Sequence, residues 1–308
     1  MALTRMHHVG MVTPDLESAR HVLCQGFGLS VDGSRTPGPN GYKNSLDKTQ
    51  VLEFPIGEMY YEVSTPTDSD SRAANFLNST NARGGIEYIS IASNDIANDV
   101  QHLINQGIGL QGNWNGQGSV FLDSNTTHGI TLQIIPDDNY YVHPYYRGNG
   151  TLTGMAHLGI GARSAEEMRT FWGTIFGLEE DTSMERGLKR PGDAPPKPAD
   201  DPVHLIEFPL GGSVIEISVP TTPESGTAKL VASKGTLGAV YHHTCPFAPD
   251  VHRLTEQAAA AGLLQIGTIP PKNEAEGNVV AWFHPRSCLG MLVEIWNRTP
   301  GEFHYQSD

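Results

Sequence analysis

The sequence predicts an α+β fold made of four strand–helix–strand–strand–strand units in two tandem halves. Three observations carry this. The chain repeats itself in order, short apolar segments with strand-like alternation recur, and opening strands are followed by apolar residues at helical spacing. The 308 residues are enough for two domains that each bury a core, and 34 Gly and 21 Pro suit many short elements better than a helical bundle.

The repeat runs through four blocks. Met6-His7-His8-Val9-Gly10 matches Met155-Ala156-His157-Leu158-Gly159, and Phe27-Gly28-Leu29 matches Phe176-Gly177-Leu178, both at an offset of 149. VLEFPIGEMYYEVSTPT from Val51 matches LIEFPLGGSVIEISVPT from Leu205 at an offset of 154, which pairs Glu62 with Glu216. Gly107 matches Gly262 at 155, and Gly129 to Gln133 match Gly290 to Glu294 at 161. The growing offset puts insertions between matched blocks, where loops tolerate them. Conserved order over all blocks marks a duplication.

The first unit opens with the strand HHVGMVT. A helix follows the N-cap region at Thr13 to Asp15, with Leu16, Ala19, Val22 and Leu23 on one face, and the unit ends in the strand YYEVS. The second runs from IEYISIAS through a helix at Ile96 to Gln106 into GSVFLDS and GITLQII. The third opens with AHLGIGA. The fourth runs from VYHHTCPF through Val251 to Ala261 into VVAWFHP and MLVEIW. The halves are placed at residues 1–140 and 151–300. Between them, Pro136 to Thr153 has the Pro, Asn and Gly of irregular backbone, and four tyrosines that suggest packing. The Pro-rich segment Glu185 to Pro202 carries Arg186, Lys189, Arg190 and Lys197. It reads first as a solvated insertion and second as a basic flap over an anionic substrate.

A net charge of −14 argues against a nucleic-acid partner. No apolar run reaches the roughly 18 residues of a membrane span. No signal peptide is expected, since a strand-like segment, Met6 to Val12, begins almost at once. Cys24, Cys245 and Cys288, odd in number and widely spaced, fit a reducing cytoplasm.

Strands send alternate side chains to one face, so matched positions in paired units converge on one side of a curved sheet. His157 and Glu216 occupy the first and last strands of one unit, and His243 and Glu294 the same places in the next. A lone strand histidine is ordinarily packed, and a lone strand glutamate is ordinarily solvated. Four at matching positions read instead as the donor set for one divalent ion per chain, Zn, Ni, Co, Mn or Fe. The first half offers His8, Glu62, Tyr88 and Gln133, which lacks one imidazole and one carboxylate. Pairing of the first unit with the fourth would instead assemble His8, Glu62, His243 and Glu294. Short connections favour pairing within halves.

With HHVGMVTPDLESARHVLCQGFGL at one end and FHPRSCLGMLVEIWN near the other, the chain resembles the vicinal oxygen chelate superfamily of glyoxalase I, methylmalonyl-CoA epimerase, bleomycin-resistance proteins and extradiol dioxygenases. The second half is most similar to methylmalonyl-CoA epimerases. The resemblance implies paired βαβββ units forming two vicinal-oxygen-chelate-type domains, each a cupped mixed sheet with helices outside. It also implies a metal held by residues matching His157, Glu216, His243 and Glu294, and a small substrate that chelates through two neighbouring oxygens.

The expected reaction is epimerisation or isomerisation, with a proton moved on a carbon beside a chelated carbonyl of an acyl thioester, hemithioacetal or α-hydroxyketone such as a cyclitol. Glu216 and Glu294 would be base and acid on its two faces. Alternatives are Fe(II) extradiol ring cleavage and a non-catalytic small-molecule binding protein. The assembly is read as a monomer or homodimer. Alternation puts His242 and His7 outside the cups. Cys245 reads as a small core residue or a supplementary ligand, Glu53 and Glu207 as strand-edge or bulge features, and His204 and His284 as rim residues.

Overall fold

The computed structural model describes residues 1–45, 47–182, 201–272 and 279–297. The first half comprises β1 (Leu3–Val12), α1 (Leu16–Arg20, continued by a π-helical turn at His21–Gly26), β2 (Tyr42–Asn44), β3 (Thr49–Ile56), β4 (Met59–Pro66), α2 (Arg72–Ser79), β5 (Gly85–Ser93), α3 (Ile96–Asn105), β6 (Val120–Phe121) and β7 (Leu132–Pro136). The second comprises β8 (Gly154–Ala162), α4 (Ala165–Met168, continued by a π-helical turn at Arg169–Ile175), β9 (Val203–Leu210), β10 (Ser213–Pro220), α5 (Gly226–Lys234), β11 (Ala239–Phe247), α6 (Val251–Ala260), β12 (Gln265–Ile266), β13 (Val280–Phe283) and β14 (Leu292–Trp296).

Each half is a seven-stranded mixed sheet, ordered β2-β3-β4-β1-β5-β7-β6 and β12-β13-β14-β11-β8-β10-β9. Within a unit the first strand lies parallel to the last, as in β1/β4 and β11/β14, and parallel neighbours require a crossover. The intervening helices supply it. They start at side-chain caps at equivalent places: Asp15, Asp95, Ser164 and Asp250 each accept from the backbone three residues on. Units pair through their first strands, β1 against β5 and β8 against β11, both antiparallel. Pairing is therefore within halves, and His8 and Glu62 do not share a sheet with His243 and Glu294.

The repeat reading lacked α2 and α5, which join the units of each half. Their buried residues are Ala73, Ala74 and Leu77 in one and Thr227 and Val231 in the other, too few and small for a helical apolar stripe. The matched Gly129 and Gly290 have φ of +90° and +80°, a turn into β7 and β14 that favours glycine.

One apolar cluster spans both halves. Tyr61, next to Glu62 and so on the opposite face, hydrogen-bonds Thr244 at 3.1 Å across the two sheets. Tyr241 Oη donates to Thr131 O at 2.6 Å and accepts from Ile89 N at 3.1 Å. Phe27 of the first half meets Phe283 of the second edge to face at 5.5 Å. Of the tyrosines between the halves, Tyr140 packs on Tyr60 at 5.1 Å, whereas Tyr141 and Tyr145 are exposed. Of Glu185 to Pro202, the basic residues Arg186, Lys189, Arg190 and Lys197 lie outside the described residues. No described helix is long and apolar enough to cross a membrane.

Candidate metal centre

The central strands of the second sheet carry His157 on β8 and His243 on β11, and the strands outside them carry Glu216 on β10 and Glu294 on β14. Registers Glu216↔Gly159 and Gly159↔His243 leave a glycine beneath the His243 ring, where a side chain would collide. The His157 and His243 Nε2 atoms are 2.9 Å apart, and Glu294 Oε2 lies 3.0 and 3.2 Å from them. Glu216 stands slightly back, at 3.7 Å from His157 Nε2 and 3.8 Å from His243 Nε2. The four residues read from the sequence thus come together, and both histidines and Glu216 are buried.

Among the described residues, His157, His243 and Glu294 form a donor group within 4.8 Å. Ligand atoms about 2.1 Å from an ion and at right angles to one another are about 3 Å apart, so the triangle has the size of one face of an octahedral ion. A buried carboxylate and a second, nearly buried one beside two imidazoles also gather negative charge that a cation would compensate. Electrostatics agree. Burial alone would lower His157, but the sulfur of Cys245 and the carboxylate of Glu216, with hydrogen bonds that His157 donates to Cys245 and Glu294, push it well above the usual imidazole range. Burial alone would raise Glu294, but hydrogen bonds from His157 and His243 hold it far below the usual carboxylate range.

Aromatic walls, absent from the sequence reading, confine the imidazoles. Trp296 meets His157 edge to face at 5.7 Å and Trp282 meets His243 at 5.2 Å. Glu207 lies on β9, the edge strand of the second sheet, directly opposite Glu216 in the β9/β10 ladder, and shares its face. Glu53 is likewise opposite Glu62, where Arg35 pairs with it. Cys245 is fully buried opposite His157 and contacts it, outside the donor triangle. His204 lies three places from Glu207 on the same strand and so on the other face. His284 caps the turn Pro285–Ser287 by accepting from Arg286 N.

The histidine pairs correct the alternation argument. Register shifts between Met6 and His8 and between Tyr241 and His243 mark β-bulges, each with one extra residue. The extra residue turns to its neighbour's side: His7 Nδ1 is 2.8 Å from His8 Nδ1, and His242 Nδ1 is 2.8 Å from His243 Nδ1. Burial and the adjacent His243 lower His242 to about 4.

In the first sheet the corresponding place is filled by a phenol. Tyr88 Oη donates to Glu62 Oε1 and lies 3.2 Å from His8 Nε2, completing a chain Asp138–His7–His8–Tyr88–Glu62. Gln133 turns to Ser90 Oγ at 2.8 Å, and Tyr60 stacks on His8 at 4.8 Å. These groups satisfy one another, so this cup is packed with protein groups.

Paired βαβββ sheets with the His-Glu-His-Glu set in one cup define the fold class of the glyoxalases. No family model matches the chain. It is 31% identical over 101 residues to the ethylmalonyl-CoA/methylmalonyl-CoA epimerase of Cereibacter sphaeroides, a match that covers 32% of this chain and 74% of that enzyme. A triple mutant of 4-hydroxymandelate synthase from Streptomyces coelicolor shares the fold at a TM-score of 0.62 and 13% identity, over 96% of this chain and 93% of that one. A xylose isomerase-like TIM barrel/4-hydroxyphenylpyruvate dioxygenase fusion protein does so at 0.63 and 13%, over 99% of this chain and 51% of that one. The chain belongs to the vicinal oxygen chelate superfamily.

Proposed function

We propose that the protein is a metal-dependent epimerase or isomerase that moves a proton on a carbon beside a carbonyl, on a small substrate with two neighbouring oxygens. One observation carries this reading. Two carboxylates flank one imidazole pair from opposite edges, and they are not equivalent: Glu294 is in hydrogen-bond contact, while Glu216 is set back at 3.7 and 3.8 Å.

His157, His243 and Glu294 would hold the ion, with Glu216 as fourth donor. A divalent ion there supplies Lewis-acid charge that favours the enolate form of a bound carbonyl. Glu216, the more loosely held carboxylate, takes the proton from the substrate carbon. Glu294, on the far side of the imidazoles, returns a proton taken from solvent to the opposite face. Trp282 and Trp296 pack edge to face against the two imidazoles and hold their ring planes. The epimerase from Cereibacter sphaeroides supports this reaction class.

The test is incubation in D₂O with an acyl thioester, a hemithioacetal and a cyclic α-hydroxyketone. Metal-dependent deuterium incorporation at the α-carbon is expected with one of them, and none with any would overturn the reading. A second reading, Fe(II)-dependent oxygenation, is favoured by the two-His, one-carboxylate triangle. Oxygen consumption by the Fe(II)-loaded protein with a catechol, without deuterium exchange, would select it. Ligand binding with neither activity would select a non-catalytic binding protein.

A further inference from the structure

We infer that His242 sets the tautomer of His243 and so makes His243 a metal donor. This rests on the metal-site reading above. A neutral imidazole has one N–H and one lone pair. His243 Nε2 converges on His157 Nε2 and Glu294 Oε2, so it must offer the lone pair there for a cation to bind. The hydrogen then belongs on Nδ1, which needs a buried acceptor. His242 Nδ1 stands 2.8 Å away, with the two rings edge to face at 5.0 Å between centroids.

Neighbours on a regular strand could not make this bond, because their side chains leave on opposite faces. The bulge at Tyr241/His243 allows it. Once its Nδ1 accepts, His242 carries its own hydrogen on Nε2. His242 is half-buried and lines a cleft together with Tyr241 and Leu292. His157 has no such neighbour. The residue before it is Ala156, and the group it contacts is Cys245 from the next strand. The two imidazoles are thus oriented by different devices, and His242 is a positioning residue specific to His243. Outer partners of metal-bound histidines of this kind commonly change affinity by about 10–100-fold.

Co(II) affinity, measured by chelator competition on the full chain, tests the inference with the wild type, His242→Ala, His242→Asn and His7→Ala. An asparagine amide oxygen can accept near the place of Nδ1. His242→Ala should bind Co(II) about 10–100-fold more weakly, His242→Asn within about threefold of wild type, and His7→Ala as wild type. Thermal unfolding shows that each variant is folded. Unchanged affinity in His242→Ala, or equal losses in the Ala and Asn variants, would overturn the inference. A wild type that binds no Co(II) would instead overturn the metal-site reading.

Discussion

Gly159 and His243 face each other across the antiparallel pair β8/β11, and a Cβ at residue 159 would stand 2.1 Å from Cε1 of the His243 ring. Its counterpart, Gly10, faces Tyr88 in the same way, with 2.0 Å to the phenol ring. The duplicated glycine of His-x-Gly is therefore a seat for an aromatic ring on the neighbouring strand. Gly159→Ala should displace the His243 ring and lower bound metal to a small fraction of wild type. Gly10→Ala should keep the metal but cost roughly 1–3 kcal/mol of stability through overpacking. Metal analysis and denaturant unfolding of both variants check this.

The offset between the two carboxylates predicts separable losses. Glu216→Gln keeps the shape but removes the base, so α-proton exchange should fall by about 10²–10⁴-fold while metal content stays near one per chain. Glu294→Gln should lose most of the metal as well as the exchange. Similar metal loss in both would assign both residues the ligand role alone.

The phenol between His8 and Glu62 predicts a gain of function. Tyr88→His with Gln133→Glu would give the first cup two imidazoles and two carboxylates on positions matching the second. Bound metal should rise from about one to about two per chain. His8→Ala in the otherwise native chain should leave metal content unchanged, since His8 belongs to the first sheet.

A buried acid in the first half predicts pH dependence. Burial raises Glu87 to about 7 against the pull of Arg72, whose guanidinium pairs with it at 2.7 Å. A raised carboxyl favours folding while protonated. Its contribution is full below the unfolded value of about 4.3 and is lost as pH rises through about 7. Urea unfolding at saturating metal should show Glu87→Gln with a shallower decline between these limits, by at most about 1.4 kcal/mol per pH unit. Equal slopes for both proteins would contradict the assignment.

The sequence by itself determined the duplication, the unit plan and the four polar residues of the second cup. These are local signals: matched motifs, apolar periodicity, and the helix-cap region ending at Asp15. Tertiary structure alone decided which units pair, because β1 could meet β5 or β11 with the same alternation, and only long-range hydrogen bonding selects β5. It also decided the place of His242. Period-two alternation assigns it to the wrong face, since a bulge is a relation between two strands and is invisible in either one. A different bulge in the first half, on β1 rather than β5, brings His7 beside His8, yet there Tyr88 fills the centre. Residue types at matched positions thus set what each cup could hold, and the register between distant strands set which side chains reach it.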